Sequence, residues 1–335
     1  MAKRLTAVYT LAHLCVDFGC HYAFFALFLP GLPVEAALGA LIYNALAFAL
    51  QPFIGVWYDG RRSLPLGAAG CALTAVGVVG AALAPWLGLV LCGLGNALFH
   101  VGGGSDVLVV SNGKMAHNGI FVASGALGVA LGAMAASGGM SLWLPVGAAA
   151  GCAVLVWRLE RPRHSGARPF GAVSGVPAGL VIALCALLVV IRAYGGGIVP
   201  KMAAVPALLP VLAAVLGKGA GGLLADRLGA RRVGAASLAA AALLLGALPP
   251  HPGLWLAGLF CFNLCMPITL CALSDCLPGH PGLAFGLTTL GLFAGWLPVA
   301  FWGAPEAARW WVLGLSLLSA LCLFIAAGNK KEAVL

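Results

Sequence analysis

Apolar runs of about 20 residues recur from one end of this chain to the other, and they constrain its fold more than any motif does. A helix of that length crosses a hydrocarbon core of about 30 Å. Of 335 residues, 62% are hydrophobic and 8% charged, with a mean hydropathy of +1.05. A soluble domain carries about 25% charged residues, so this chain lacks the side chains to face water over its whole surface. No stretch alternates in the manner of a barrel strand, and Ala, Leu and Gly dominate. Such runs satisfy their own backbone N–H and C=O groups in a bilayer only as helices. The expected class is an all-α polytopic membrane protein.

Turn signals divide the runs into about twelve spans, near 6–29, 35–57, 64–84, 86–109, 118–137, 141–157, 175–195, 204–224, 233–249, 253–274, 282–302 and 309–327. The opening "MAKRLTAVYTLAHLCVDF" has the basic start of a signal peptide. Its apolar region is too long, and no small-residue cleavage site follows, so it reads as the first span. Most of the net charge of +9 sits in loops. Lys3, Arg4, Arg61, Arg62, Lys114, the Arg158–Arg168 loop, the cluster from Arg227 to Arg232, Lys330 and Lys331 thread to one side. Lys201 and Arg309 thread to the other. An excess of Lys and Arg marks the cytoplasmic side, which puts both termini and the central loop there and the chain in the cell membrane. On this reading the charge is an orientation signal and not a nucleic-acid surface. The 11 Cys residues fall almost wholly within apolar runs without a CxxC pair and read as packing residues.

One strongly polar stretch, "RLERPRHSGARP", divides the spans six and six, giving bundles at 1–157 and 175–335 and a linker at 158–174. The halves resemble each other. "GVWYDGRR" follows span 2, and "GLLADRLGARR" follows span 8. Asp59 and Asp226 are 167 positions apart, as are Gly128 and Gly295, and Asn96 and Asn263; Asp106 and Asp275 are 169 apart. A shared offset implies a duplicated six-helix unit with parallel repeats.

The repeated loop, a glycine, three residues, an Asp and then an Arg cluster, resembles the loop signature of the major facilitator superfamily. Within it, "HLCVDF…FLPGL", "QPFIGVWYDGRR", "GLGNALFHVGG" and "IRAYGGGIVP" are similar to the fosmidomycin-resistance group of efflux transporters. Val101 follows His100 where that group carries Pro, and Ala133 follows Gly132 where its span-5 repeat ends in Gly-Pro. The resemblance implies two pseudo-symmetric six-helix bundles rocking about a central site lined by spans 1, 4, 7 and 10. The implied protein is a monomeric transporter without a cofactor, with a small solute, protons and the lipid bilayer as its partners.

"HLCVDFGCH", residues 13–21, places His13, Asp17 and His21 on one helical face. An ionised Asp at mid-membrane costs roughly 2.5–3.5 kcal/mol on insertion scales, so it has to face a cavity or a partner. Asp17 is the expected proton-binding carboxylate, with His21 and His100 as relays; His13 is either a relay or structural. The three glycines of "GGGSD", 102–106, are expected to loosen span 4, since each disfavours helix by about 1 kcal/mol relative to Ala. Arg192 is the one Arg in span 7 and precedes Tyr194. It reads as a fixed cation for an acidic solute, a partner for Asp17, or a side chain snorkelling to the headgroups. Asn96, Arg192, Tyr194 and Asn263 form the expected solute-binding set, and Pro267 is expected to kink span 10.

Asp59, Arg61, Arg62, Asp226, Arg227 and Arg231 form an expected conformational latch. Each Asp would face the N-terminus of a helix in the other bundle, where free N–H groups favour an anion by roughly 0.3–1 kcal/mol. Asp106 and Asp275 are assigned salt-bridge or capping duties, and Lys218 a place near the inner end of span 8. The leading reading is a proton-coupled secondary transporter exporting a small organic solute. The alternative is a divalent transition-metal transporter with His13, Asp17, His21, His100 and Cys265 as ligands. No nucleophile–base pair, metalloprotease motif or phosphate loop supports an enzyme.

Overall fold

The computed structural model describes residues 1–159 and 168–328; most of the basic central loop, and Lys330 with Lys331, lie outside them. Eleven helices among the described residues are long and apolar enough to cross a membrane. They are α1 (Ala2–Gly31), α2 (Pro33–Asp59), α3 (Leu66–Leu83), α4 (Pro85–Val110), α5 (Met115–Ser137), α7 (Ala178–Ile198), α8 (Leu208–Leu228), α9 (Ala230–Ala247), α10 (Pro252–Asp275), α11 (Pro281–Trp302) and α12 (Ala308–Ala326). The twelfth, α6 (Trp143–Trp157), is apolar but has 15 residues. Every expected span is a helix.

Two compact units form. The first contains Met1–Val110, Ser124–His164 and Gly279–Thr289; the second contains Ser111–Ala123, Ser165–Pro278 and Leu290–Leu335. The first turns of α11 therefore pack within the first unit, and those of α5 within the second.

Local chemistry explains the irregularities. α10 is interrupted at Leu264 and Cys265, between segments Pro252–Asn263 and Met266–Asp275, with Pro267 in the first turn of the second. Proline has no N–H for the preceding turn, so the break falls there. Wider π-helical turns occur at Ala23–Phe28 in α1, Ala45–Ala49 in α2 and Ala242–Ala247 in α9. Gly229, at φ +96°, turns the chain from α8 into α9 in a conformation that a side chain would strain.

One expectation is corrected. α4 stays helical through Gly102, Gly103 and Gly104. A Cβ at Gly102 would strike the backbone of Leu66 and Gly67, one at Gly103 the ring of Tyr9, and one at Gly104 the ring of Phe285. The glycines admit neighbours to the helix axis, and the packing gained outweighs their helix penalty.

The glycine contacts also repeat between units. A Cβ on Gly55 would meet the backbone of Gly282, and one on Gly222 the backbone of Met115. Gly286 packs on Gln51 and Pro52, and Gly119 on Lys218 and Gly219. Each position is related to its counterpart by the same 167 residues seen in the sequence.

Such close approach makes substitution costly. At Gly70 a Cβ would meet the backbone N and Cα of Phe99, whereas Gly147 has open space around it. Gly70→Ala is expected to lower unfolding stability by about 1–3 kcal/mol through overpacking. Gly147→Ala is expected to leave it unchanged or raise it slightly. Thermal unfolding of the two variants in detergent checks the contrast.

Candidate functional site

Four side chains meet inside the first unit. Asn96 Nδ2 on α4 donates to Asp17 Oδ1 on α1 at 2.7 Å, and His13 Nε2 lies 3.3 Å from Asp17 Oδ2. His100 Nε2 lies 4.0 Å from Asp17 Oδ1, and the rings of His13 and His100 meet edge to face with centroids 4.5 Å apart. All four residues are buried, Asp17 to 6% exposure. His100 Nδ1 is 2.9 Å from the Asn96 carbonyl. A carbonyl only accepts, so Nδ1 carries the hydrogen and Nε2 is the atom turned to the carboxylate.

Helix spacing and a glycine stripe build this group. His13 and Asp17 are one turn apart on α1, and Asn96 and His100 one turn apart on α4. α5 closes on them with bare backbone. A Cβ at Gly125 would strike His13 Nε2 and Asp17 Oδ2, one at Gly128 the Leu14 carbonyl and Asp17 Cβ, and one at Gly132 the Phe18 carbonyl and His21 Cβ. Any side chain at Gly125 would occupy the space of the carboxylate.

His21 is placed elsewhere. Its Nδ1 donates to the Asp17 main-chain carbonyl at 3.0 Å, and its ring meets Tyr43 edge-on at 5.8 Å. His13, not His21, is the α1 imidazole at the carboxylate. Of the alternative metal set, His13, Asp17 and His100 present ligand atoms all within 4.8 Å of one another. Cys265 belongs to the second unit, where its thiol donates to the Phe262 carbonyl at 3.5 Å.

The solute-binding candidates of the second unit differ among themselves. Arg192 on α7 is 5% exposed, so it does not snorkel. Its Nη2 donates to the Phe262 carbonyl at 2.9 Å, its Nη1 lies 2.6 Å from Met266 Sδ, and the guanidinium sits over the Phe262 ring at 4.8 Å. Asn263 Nδ2 donates to Leu259 O in its own helix at 2.8 Å. Tyr194 is half-buried, its backbone N facing Gly295 of α11.

The expected latch residues meet different kinds of partner. Asp59 accepts from the N–H groups of Gly282 at 2.8 Å and Leu283 at 3.0 Å, at the start of α11. Asp226 accepts from Met115 at 2.9 Å and Ala116 at 3.0 Å, at the start of α5. Every partner in one cap lies 167 residues from its counterpart in the other. Arg62 Nη2 pairs with Asp106 Oδ1 at 2.9 Å and its Nη1 lies 3.8 Å from Asp59. Tyr9 donates to the other oxygen of Asp106 at 2.8 Å. Arg61 is exposed and donates to Trp57 O at 3.2 Å, Arg231 Nε donates to Ala327 O at 2.7 Å, and Arg227 is exposed. Asp275 accepts from the N–H groups of Phe170 and Ala172, anchoring the end of the central loop.

Sequence reasoning passed over Tyr9 and Gly125. Tyr9 carried a signal, since it extends the four-residue stripe of His13, Asp17 and His21 by one turn. Gly125 carried none beyond its place in "GALGVALG".

The sequence matches no family model and no curated protein. Solved structures do match. The E. coli fucose:proton symporter FucP superposes with a TM-score of 0.67 at 12% identity, covering 95% of this chain and 97% of that one. The human organic anion transporter MFSD10 superposes with a TM-score of 0.66 at 19% identity, covering 97% and 99%. A bacterial homologue of the iron transporter ferroportin gives 0.58 at 16%, covering 95% and 98%. The chain has the fold of the major facilitator transporters.

Proposed function

We propose that the protein is a proton-coupled secondary transporter of the cell membrane that exports a small organic solute by alternating access. Bundles 1–157 and 175–335, joined by the linker 158–174, are its two halves, with both termini in the cytoplasm. The single observation carrying this reading is the buried carboxylate of Asp17 with His13, His100 and Asn96 around it. A charge at such a position is expensive in a membrane and is retained where it moves an ion or a solute. Asp17 takes the proton, and His13 and His100 stabilise its ionised form and pass the proton onward. The fold it shares with a fucose:proton symporter is consistent with that chemistry. Export, rather than uptake, rests on the likeness to the fosmidomycin-resistance group.

The paired caps support a latch. Asp59 and Asp226 each neutralise the N-terminus of a helix that begins in one unit and continues in the other. Releasing both caps frees α5 and α11 to move, and Arg62 holds Asp59 and Asp106 in register meanwhile.

The test is flux into proteoliposomes carrying an internal pH-sensitive dye. Solutes that raise the unfolding temperature of the pure protein are expected to move only with dye-reported proton movement, and faster under an imposed pH gradient. Solute flux indifferent to pH would end the coupling assignment. The His13–Asp17–His100 cluster also favours a second reading, transport of a divalent transition metal. That reading predicts accumulation of manganese, iron, cobalt or zinc that disappears in His100→Ala. Equal accumulation in wild type and variant would dismiss it.

A further inference from the structure

Like the Arg62 side chain, which is 7% exposed, Arg192 is buried, at 5% exposure. Its Nε has no hydrogen-bond partner, and the guanidinium bonds to the Phe262 carbonyl and the Met266 thioether, with the Cys265 thiol beside it. Among the described residues no carboxylate lies within ion-pair distance of it. The other arginines near the helix ends differ. Arg62 has Asp106 and Asp59, and Arg309 is satisfied by the carbonyls of Gly246, Ala247 and Leu248. A buried cation without a counter-ion is destabilising by several kcal/mol in a low-dielectric interior. The Phe262 ring offsets only part of that.

The internal repeat shows where this cation stands. Gly128 of α5 meets the Leu14 carbonyl and Asp17 Cβ; Gly295 of α11 meets the Val190 carbonyl and Ala193 Cβ. Ala193 is thus the counterpart of Asp17, and Arg192 adjoins it. On the facing helix Asn263 is the counterpart of Asn96, and Arg192 contacts Phe262 and Met266 on either side of it. In the first unit this location holds a carboxylate with two imidazoles around it. In the second the equivalent position is Ala193, and the guanidinium of the residue before it, with no partner at Nε, lies against the facing helix at Phe262 and Met266.

We infer that Arg192 is the binding group for an anionic moiety of the solute, a carboxylate or a phosphate-type oxyanion, which supplies the missing counter-charge. The inference deepens the transport reading by naming the solute class. A carboxylate placed side-on to the free Nε makes the charge-assisted, directional bond for which guanidinium is suited. The two units then divide the work: Asp17 holds the cation and Arg192 the anion.

Unfolding temperature of the intact protein in detergent, at constant pH and ionic strength, is the test. Removing an uncompensated buried charge should stabilise the empty protein, so Arg192→Met is expected to unfold at a higher temperature than wild type. If its bonds to Phe262 and Met266 were the purpose of Arg192, Arg192→Met would unfold at a lower temperature, which overturns the inference. Benzoate, glutarate and phenyl phosphate are then compared with benzamide as the neutral probe. A bound ligand raises the unfolding temperature in proportion to the logarithm of its concentration above Kd. An anion is expected to raise it in wild type, less in Arg192→Lys, and not in Arg192→Gln. The carboxylates against phenyl phosphate identify the oxyanion. No difference between anions and benzamide in wild type, or an unchanged difference in Arg192→Gln, overturns the proposal. No proton gradient enters this assay. Anion binding without coupled proton movement in liposomes would therefore retire the coupling and keep the inference, and proton-coupled flux of a neutral solute would do the reverse.

Discussion

Asp17→Asn is expected to abolish pH-driven flux while leaving the folded protein intact. Asn keeps the shape of Asp17 and can still accept from Asn96 Nδ2, whose 2.7 Å bond ties α1 to α4. What it loses is the exchangeable proton. Proteoliposomes containing Asp17→Asn should show dye signals equal to empty liposomes under a gradient, with thermal unfolding near that of wild type. Solute counterflow without a gradient separates coupling from translocation. If only the carboxylate's charge state is at issue, counterflow survives. Wild-type rates of gradient-driven flux in this variant would show that the cluster is structural. His13→Gln and His100→Gln are expected to slow the same flux without abolishing it, since each leaves the other imidazole beside Asp17.

Asp106→Ala is expected to be the most destabilising single change near the helix ends. Asp106 is 3% exposed and takes a charged bond from Arg62 and a hydroxyl bond from Tyr9. Deleting it leaves a buried guanidinium and a buried phenol facing an alanine. Breaking a buried pair by removing one partner costs about 3–5 kcal/mol, because the remaining charge stays desolvated. Asp106→Asn should recover part of this by still accepting from Tyr9. Tyr9→Phe, which removes one hydroxyl and leaves the ion pair, should cost about 1 kcal/mol. Unfolding temperatures in the order wild type, Tyr9→Phe, Asp106→Asn, Asp106→Ala are the expected result. An Asp106→Ala protein as stable as wild type would mean that Arg62 finds another partner without penalty.

Much of the architecture was legible because the bilayer leaves few options. Each run of about 20 apolar residues had to be a helix, and each proved to be one. The 167-residue offset was visible in Asp59, Asp226, Gly128, Gly295, Asn96 and Asn263, and it reappears in packing and capping that no single residue advertises. Legibility failed at the triple glycine of α4. Intrinsic helix propensity was outweighed there by close approach of α3, Tyr9 and Phe285. It also failed where the partner is main chain. The N–H groups of Met115, Ala116, Gly282 and Leu283 have no side-chain signature, so the aspartates were identified and their donors were not.

By itself the sequence determined class, span number and repeat, and it marked which residues are too polar for their surroundings. These follow from local chemistry: solvation of side chains and self-satisfaction of the helix backbone. Only the tertiary structure decided which polar residues share a site. It took His13 to the Asp17 carboxylate and His21 to a main-chain carbonyl, paired Asp106 with Tyr9 and Arg62, and buried Arg192 against Phe262 instead of at the headgroups. A four-residue stripe puts three side chains on one face of a helix. Which of them meets a partner depends on where a second helix 79 residues away places Asn96, and on a glycine in a third that leaves room for the carboxylate.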